Sequence, residues 1–143
     1  MTTSSRSMVS PRPPRVLIVD DDPDVVSALV RLLRAAEPDW ETRTARDGQE
    51  ALACFERESF DVVMTDLQMP SMDGFQLLRR LARSHPETIR IVHSSHGAML
   101  GTELVRYLAH NVVAKPSPSG EVLSLLRWAV RAAGSVERNA SRA

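Results

Sequence analysis

The sequence predicts an open α/β fold: a parallel five-stranded sheet covered by helices on both faces. Two observations predict it. Apolar runs of four to six residues alternate along the chain with stretches whose apolar residues recur every three to four positions. The clearest of these runs are continuous rather than alternating, as strands are when both faces of a sheet are buried. Five strand–helix units of this kind fill residues 15–133.

The first unit opens with "RVLIV" (15–19), which climbs directly into Asp20, Asp21 and Asp22. Asp22, Pro23 and Asp24 together read as a helix start: a cap, a proline at the first helical position and an acid in the first turn. Val26, Leu29, Val30 and Leu33 form the stripe of that helix. "ETRTA" (41–45) is β-prone but polar, as an edge strand is, and its end at Arg46 and Asp47 carries no chemical signal. Ala51, Leu52 and Phe55 make the second helical stripe. "DVVMT" (61–65) ends at Asp66, and Phe75, Leu78, Leu81 and Ala82 follow on a third helix. "IRIVHS" (89–94) ends in Ser94 and Ser95, and Leu100, Leu104 and Leu108 then stand four apart. "NVVA" (111–114) ends in Lys115 before Pro116, and Val122, Leu125, Leu126 and Ala129 close the pattern. Trp128 flanks that last stripe and reads as a lid on the core edge or, alternatively, an interface anchor. His93, between Val92 and Ser94, reads as a core histidine.

Composition narrows the function. A chain of 143 residues supports one domain with a real core. "MTTSSRSMVSPRPP" has no period and three prolines, so residues 1–14 are expected to be a disordered arm. "GSVERNASRA" (134–143) reads as a polar tail. Formal net charge is zero, but residues 16–133 hold 13 basic and 17 acidic side chains, a body of about −4. That argues against a nucleic-acid-binding body, which would show a basic face. The lone cysteine, Cys54, excludes an internal disulfide and fits a reducing compartment. No apolar run reaches the ~20 residues of a membrane span, and the N-terminus lacks a secretory signal, so a cytoplasmic location is expected.

Open α/β sheets bind ligands outside the carboxyl ends of their strands. Asp20 and Asp21, Asp66, Ser94 and Lys115 all fall at such ends and would converge on one rim. Carboxylates can hold Mg²⁺ while one of them attacks phosphorus, and a hydroxyl and an ammonium can neutralise a phosphoryl group's oxygens. The chain contains seventeen arginines and one lysine. The single exception to arginine stands at a strand end, where a compact point charge suits a tight anionic site better than a planar fork.

These motifs carry a resemblance. "VLIVDDDP", "DVVMTDLQMPSMDGF", "IRIVHSS" and "VVAKP" resemble, in order and spacing, the receiver domain of two-component response regulators, the CheY-like superfamily. The resemblance covers about residues 15–133. It implies a three-layer, flavodoxin-like (βα)5 fold with strand order 2-1-3-4-5. It implies a phosphoacceptor at Asp66, with Ser94 and Lys115 contacting the phosphoryl group. Mg²⁺ would be held by Asp20, Asp21, Asp66 and the backbone carbonyl of Gln68. The implied partners are a sensor histidine kinase or phosphotransfer protein, which donates the phosphoryl group, and a downstream protein. Such a domain is a signalling module that catalyses only its own phosphorylation and dephosphorylation. Ten residues follow Ala133, too few for a DNA-binding output domain, so a stand-alone receiver is expected. The alternatives are a receiver cut from a longer regulator, or a receiver-like binding module that works without phosphorylation.

Departures and rivals qualify that reading. Val112 stands where the family usually has Tyr or Phe, so the usual aromatic switch is absent. Gln68 and His96, two residues after Asp66 and Ser94, flank the line of water attack on an aspartyl phosphate. Haloacid-dehalogenase-type phosphatases also use a strand-end Asp but need a second Asp two residues on, where this chain has Gln68. Neither GxGxxG nor GxxxxGK[ST] occurs, and the four histidines lack zinc-ligand spacing.

Overall fold

The computed structural model describes residues 12–69, 72–95 and 102–142, with side chains described as far as 134. Five parallel strands form one sheet in the order β2-β1-β3-β4-β5. They are β1 (Arg15–Val19), β2 (Glu41–Ala45), β3 (Val62–Thr65), β4 (Ile89–Ser94) and β5 (Asn111–Ala114). The intervening helices are α1 (Pro23–Ala36), α2 (Gly48–Arg57), α3 (Gly74–Ser84), α4 (Glu103–Leu108) and α5 (Ser119–Arg142). β1 pairs with β2 on one side, from Arg15 with Glu41 to Val19 with Ala45, and with β3 on the other, from Val16 with Val62 to Val19 with Thr65. This is the expected flavodoxin-like arrangement.

The alternation along β1 explains the two main cores. Val16 and Ile18 face α1 and α5 and pack with Leu29, Leu33, Val122, Leu126 and Ala129. Leu17 and Val19 face the other way, against Ala51, Phe55, Leu77 and Leu81 of α2 and α3. A third cluster, Leu67, Leu78, Val92, Val105 and Leu108, seats α4. Val112 is half-buried against it.

Local chemistry sets the helix starts. Asp22 caps α1, accepting from the Asp24 amide at 2.9 Å with Pro23 in the first turn, as the sequence predicts. Asp47 caps α2 through the Glu50 amide at 2.8 Å, a role the sequence reading did not assign it. Asp73 and Gln76 form a reciprocal capping box on α3.

Several expectations change. Residues 12–14 of the expected arm are tied down: Arg12 pairs with Asp61 at 2.8 Å, and the Pro14 carbonyl accepts from the Glu41 amide at 2.8 Å. The rest of that arm lies outside the described residues. The segment read as a polar tail is instead the end of α5, which continues to Arg142. Gly134 costs a helix only about 1 kcal/mol, and no proline follows to stop it. β3 begins at Val62, and the Asp61 side chain before it accepts the Arg15 amide. In α4, Val105 and Leu108 are buried while Leu104 is exposed, so the stripe runs three apart rather than four; Leu100 lies outside the described residues. Trp128 is 38% exposed.

One buried charge braces the start of β4. Arg90 donates from Nε to the Leu108 carbonyl at 2.8 Å and from a terminal nitrogen to the Thr88 carbonyl at 3.2 Å. Its backbone amide donates to Nδ1 of His110 at 2.9 Å. The guanidinium thereby satisfies a carbonyl at the end of α4, where a cation also suits the helix dipole.

Candidate functional site

The ladder itself aims the acidic side chains. The Asp20 amide donates to the Ala45 carbonyl and the Asp66 amide to the Val19 carbonyl, so β1 and β3 each extend one residue and release their carboxylates side by side. The Lys115 amide donates to the Ser94 carbonyl, which fixes the ends of β4 and β5 in the same way. The Lys115–Pro116 peptide bond is cis.

Lys115 unites the two carboxylates. Its Nζ lies 2.6 Å from Asp20 Oδ2 and 3.4 Å from Asp66 Oδ2. Asp20 is buried, and the Asp66 and Lys115 side chains are 12% and 17% exposed, so this ion pair is largely shielded from solvent. Asp20 Oδ1 accepts the Asp22 amide at 3.0 Å, and Asp66 Oδ1 accepts the Leu67 amide at 2.7 Å. Each carboxylate thus has one oxygen held by backbone and the other turned to Lys115. Burial pushes the Asp20 carboxyl up, despite the opposing hydrogen bonds from Lys115 and Asp22. For Lys115, burial acts downward, but its bonds to Asp20 and Asp66 outweigh it and raise the ammonium. Asp21 is exposed at the lip. One oxygen each from Asp20, Asp21 and Asp66 lie within 4.8 Å of one another.

Ser94 is fully buried at the end of β4, paired in register with Ala114. Gln68 is exposed, two residues beyond Asp66. Of the residues singled out in the sequence, Asp20, Asp21, Asp66 and Lys115 come together at one rim, and Ser94 and Gln68 stand on the adjoining strand end and loop. His96 lies outside the described residues. His93 is buried, as expected, and its imidazole is pushed down to about 4 by burial, with the Lys115 charge adding to the effect and Asp66 opposing it.

Gly74, in the Asp-Gly that starts α3, is a positioning feature. Its amide donates to the Leu67 carbonyl at 2.9 Å. A Cβ there would sit 2.2 Å from the Asp66 carbonyl oxygen and 2.7 Å from Leu67 Cα. Only glycine lets α3 begin this close to the Asp66 loop. The "DG" in the sequence was the available signal.

Comparison with known proteins agrees with this architecture. Residues 16–127 match the family model described as the response regulator receiver domain. The chain is 33% identical over 135 residues to the transcriptional regulatory protein TrcR of Mycobacterium tuberculosis, covering 92% of this chain and 51% of TrcR. It is 30% identical over 118 residues to the response regulator protein PilR of Pseudomonas aeruginosa, covering 82% of this chain and 26% of PilR. The chain therefore spans about half the length of these curated relatives or less. Among solved structures, the signal receiver domain of an HD domain-containing protein from Pseudomonas fluorescens superposes with a TM-score of 0.81 at 26% identity, covering 91% of this chain and 96% of that one. The chemotaxis response regulator CheY4 of Vibrio cholerae gives 0.74 at 26% identity, covering 82% and 98%. With its sheet order, its acidic strand ends and the lysine between them, the chain belongs to the family of response regulator receiver domains of two-component systems.

Proposed function

We propose that this receiver accepts a phosphoryl group on Asp66 from a histidine kinase or phosphotransfer protein and signals through protein contacts. The observation that carries the proposal is Lys115, bridging Asp20 and Asp66. A lysine held between two carboxylates is already where an incoming phosphoryl oxygen would need a cation. In the transfer, Asp66 Oδ2 forms the new O–P bond as the donor's N–P bond breaks, and the donor nitrogen leaves with the electron pair. Asp66 Oδ1 stays with the Leu67 amide, so the nucleophilic oxygen is the one facing Lys115. Ser94 would donate its hydroxyl to a second phosphoryl oxygen.

The donor set fits Mg²⁺. Three carboxylates supply hard oxygen ligands within one ion's reach, and the burial that raises Asp20 is relieved by a cation. Asp20, Asp21, Asp66 and the Gln68 carbonyl would hold it. When bound, the ion supplies charge neutralisation for the acids and the phosphoryl oxygens. Asp20 and Asp21 then serve as holders and Lys115 remains the protein's own cation on the site. No helix among the described residues is long and apolar enough to cross a membrane.

Intact-mass measurement after incubation with Mg²⁺ and a small acyl phosphate tests the proposal. The expected result is one phosphoryl adduct on wild type and none on Asp66→Asn. An adduct that persists at full yield in the variant would overturn the assignment.

A further inference from the structure

β2 is an edge of the sheet, and no strand among the described residues pairs with its outer side. The Glu41 amide donates inward to Pro14, and the Ala45 carbonyl accepts inward from Asp20. Parallel pairing alternates at every second residue, so Glu41, Arg43 and Ala45 turn their backbone groups toward β1. Thr42 and Thr44 turn theirs outward. Two N–H and two C=O groups therefore face away from the sheet along one edge, a ready template for another strand.

A groove of about 630 Å³ runs along this edge, with Thr42 and Thr44 in its lining. α1 contributes Arg31 and Arg34 to one wall, and α2 contributes Arg57 to the other. All three arginines are exposed. Arg31 and Arg34 form no ion pair among the described residues. The nearest acid in the groove, Glu58, is taken by Arg43 at 3.0 Å and by Arg15 at 3.4 Å. An excess of positive charge thus lines an unpaired strand edge on a body that is net acidic. Pairing two copies of β2 edge to edge would bring these arginines together, and like charges oppose that.

We propose that this edge binds an extended acidic segment of another protein, which adds a sixth strand beside β2. An added strand alternates its side chains between the two faces. Acids on one face would meet Arg31 and Arg34, and acids on the other would meet Arg57, while Thr42 and Thr44 supply the backbone bonds. The site uses none of Asp20, Asp66 or Lys115 and is independent of phosphorylation chemistry.

The test uses the full chain and a short peptide alternating valine with glutamate, compared with its lysine-for-glutamate counterpart. Fluorescence anisotropy at low salt should show binding of the acidic peptide only. Arg31→Glu with Arg34→Glu, both on the surface, should weaken it ~tenfold or more. Thr44→Pro removes an outward donor that the β1–β2 ladder does not use, and should abolish binding while the circular dichroism and melting temperature stay near wild type. Amide exchange should show new protection at Thr42 and Thr44 with the peptide bound. Equal binding of both peptides would overturn the proposal. So would full binding by a folded Thr44→Pro, or displacement of the peptide by inorganic phosphate at equal concentration, because either would reduce the groove to a general anion sink.

Discussion

His93 should make the stability of this receiver fall in mild acid, by an amount the structure sets. The ring is buried on β4, and its pKa drops from 6.5 in the unfolded chain to about 4 in the fold. Between those values the unfolded chain binds a proton that the folded one refuses. Stability contributed by the neutral ring is therefore complete above 6.5 and is lost as pH falls toward 4. The full difference corresponds to about 3 kcal/mol, and the part lost by pH ~5 is about 2 kcal/mol. Other groups also change their proton affinity on folding. Asp20, with its raised carboxyl, gives the opposite slope, and His110, pushed down by burial and by Arg90, gives the same slope as His93. Both are common to wild type and His93→Leu, so the difference between the two proteins isolates His93. Urea unfolding of each at about pH 7.5 and about pH 5 measures it, with wild type expected to lose ~2 kcal/mol more than the variant. The static packing change of the leucine cancels in that comparison. Parallel losses in the two proteins would show that the ring accepts a proton without cost, and would refute the reasoning.

Four further outcomes are expected. Gly74→Ala forces the start of α3 away from the Asp66 carbonyl and should cost roughly 1–3 kcal/mol while slowing phosphorylation, read by thermal melting and intact mass; an unchanged melt and rate would contradict the contact. Lys115→Met leaves Asp20 and Asp66 without their cation and should destabilise by roughly 1–3 kcal/mol. Added Mg²⁺ should then raise the melting temperature of this variant more than that of wild type, and equal shifts would count against a shared site. Val112→Ala should leave the amide-exchange response to a beryllofluoride phosphoryl mimic in place at residues 94–102, whereas its loss would make the valine a switch residue. Gln68→Leu should lengthen the life of the aspartyl phosphate by removing a water-orienting amide, and an unchanged decay rate would exclude that role.

Four strands were legible because each is short, apolar and bounded by polar residues, and β2 because its polar residues are β-prone. Their C-terminal ends then gave Asp20, Asp66 and Lys115 without any knowledge of distance. The pairings that join them were not legible. Lys115 meets Asp20 across 95 positions, and Arg12 meets Asp61 across 49. Such contacts are set by sheet order, which local pattern does not encode. The register of α4 failed for a different reason. In a six-residue helix, leucines spaced by four and a Val105–Leu108 pair spaced by three are both valid stripes, and only packing against Leu78 and Val92 selects the second. The length of α5 was missed because polarity was taken as an end signal. A run of polar residues can be helical all the same.

Arg90 ties the C-terminal end of α4 to the sheet. At the C-terminal end, moving Leu108 breaks a bond from a buried guanidinium, worth on the order of 2 kcal/mol. At the N-terminal end, the Thr102 hydroxyl accepts the Val105 amide at 3.3 Å and caps the helix. The position of α4 is coupled to β4, the strand that ends at Ser94, through a residue on that same strand.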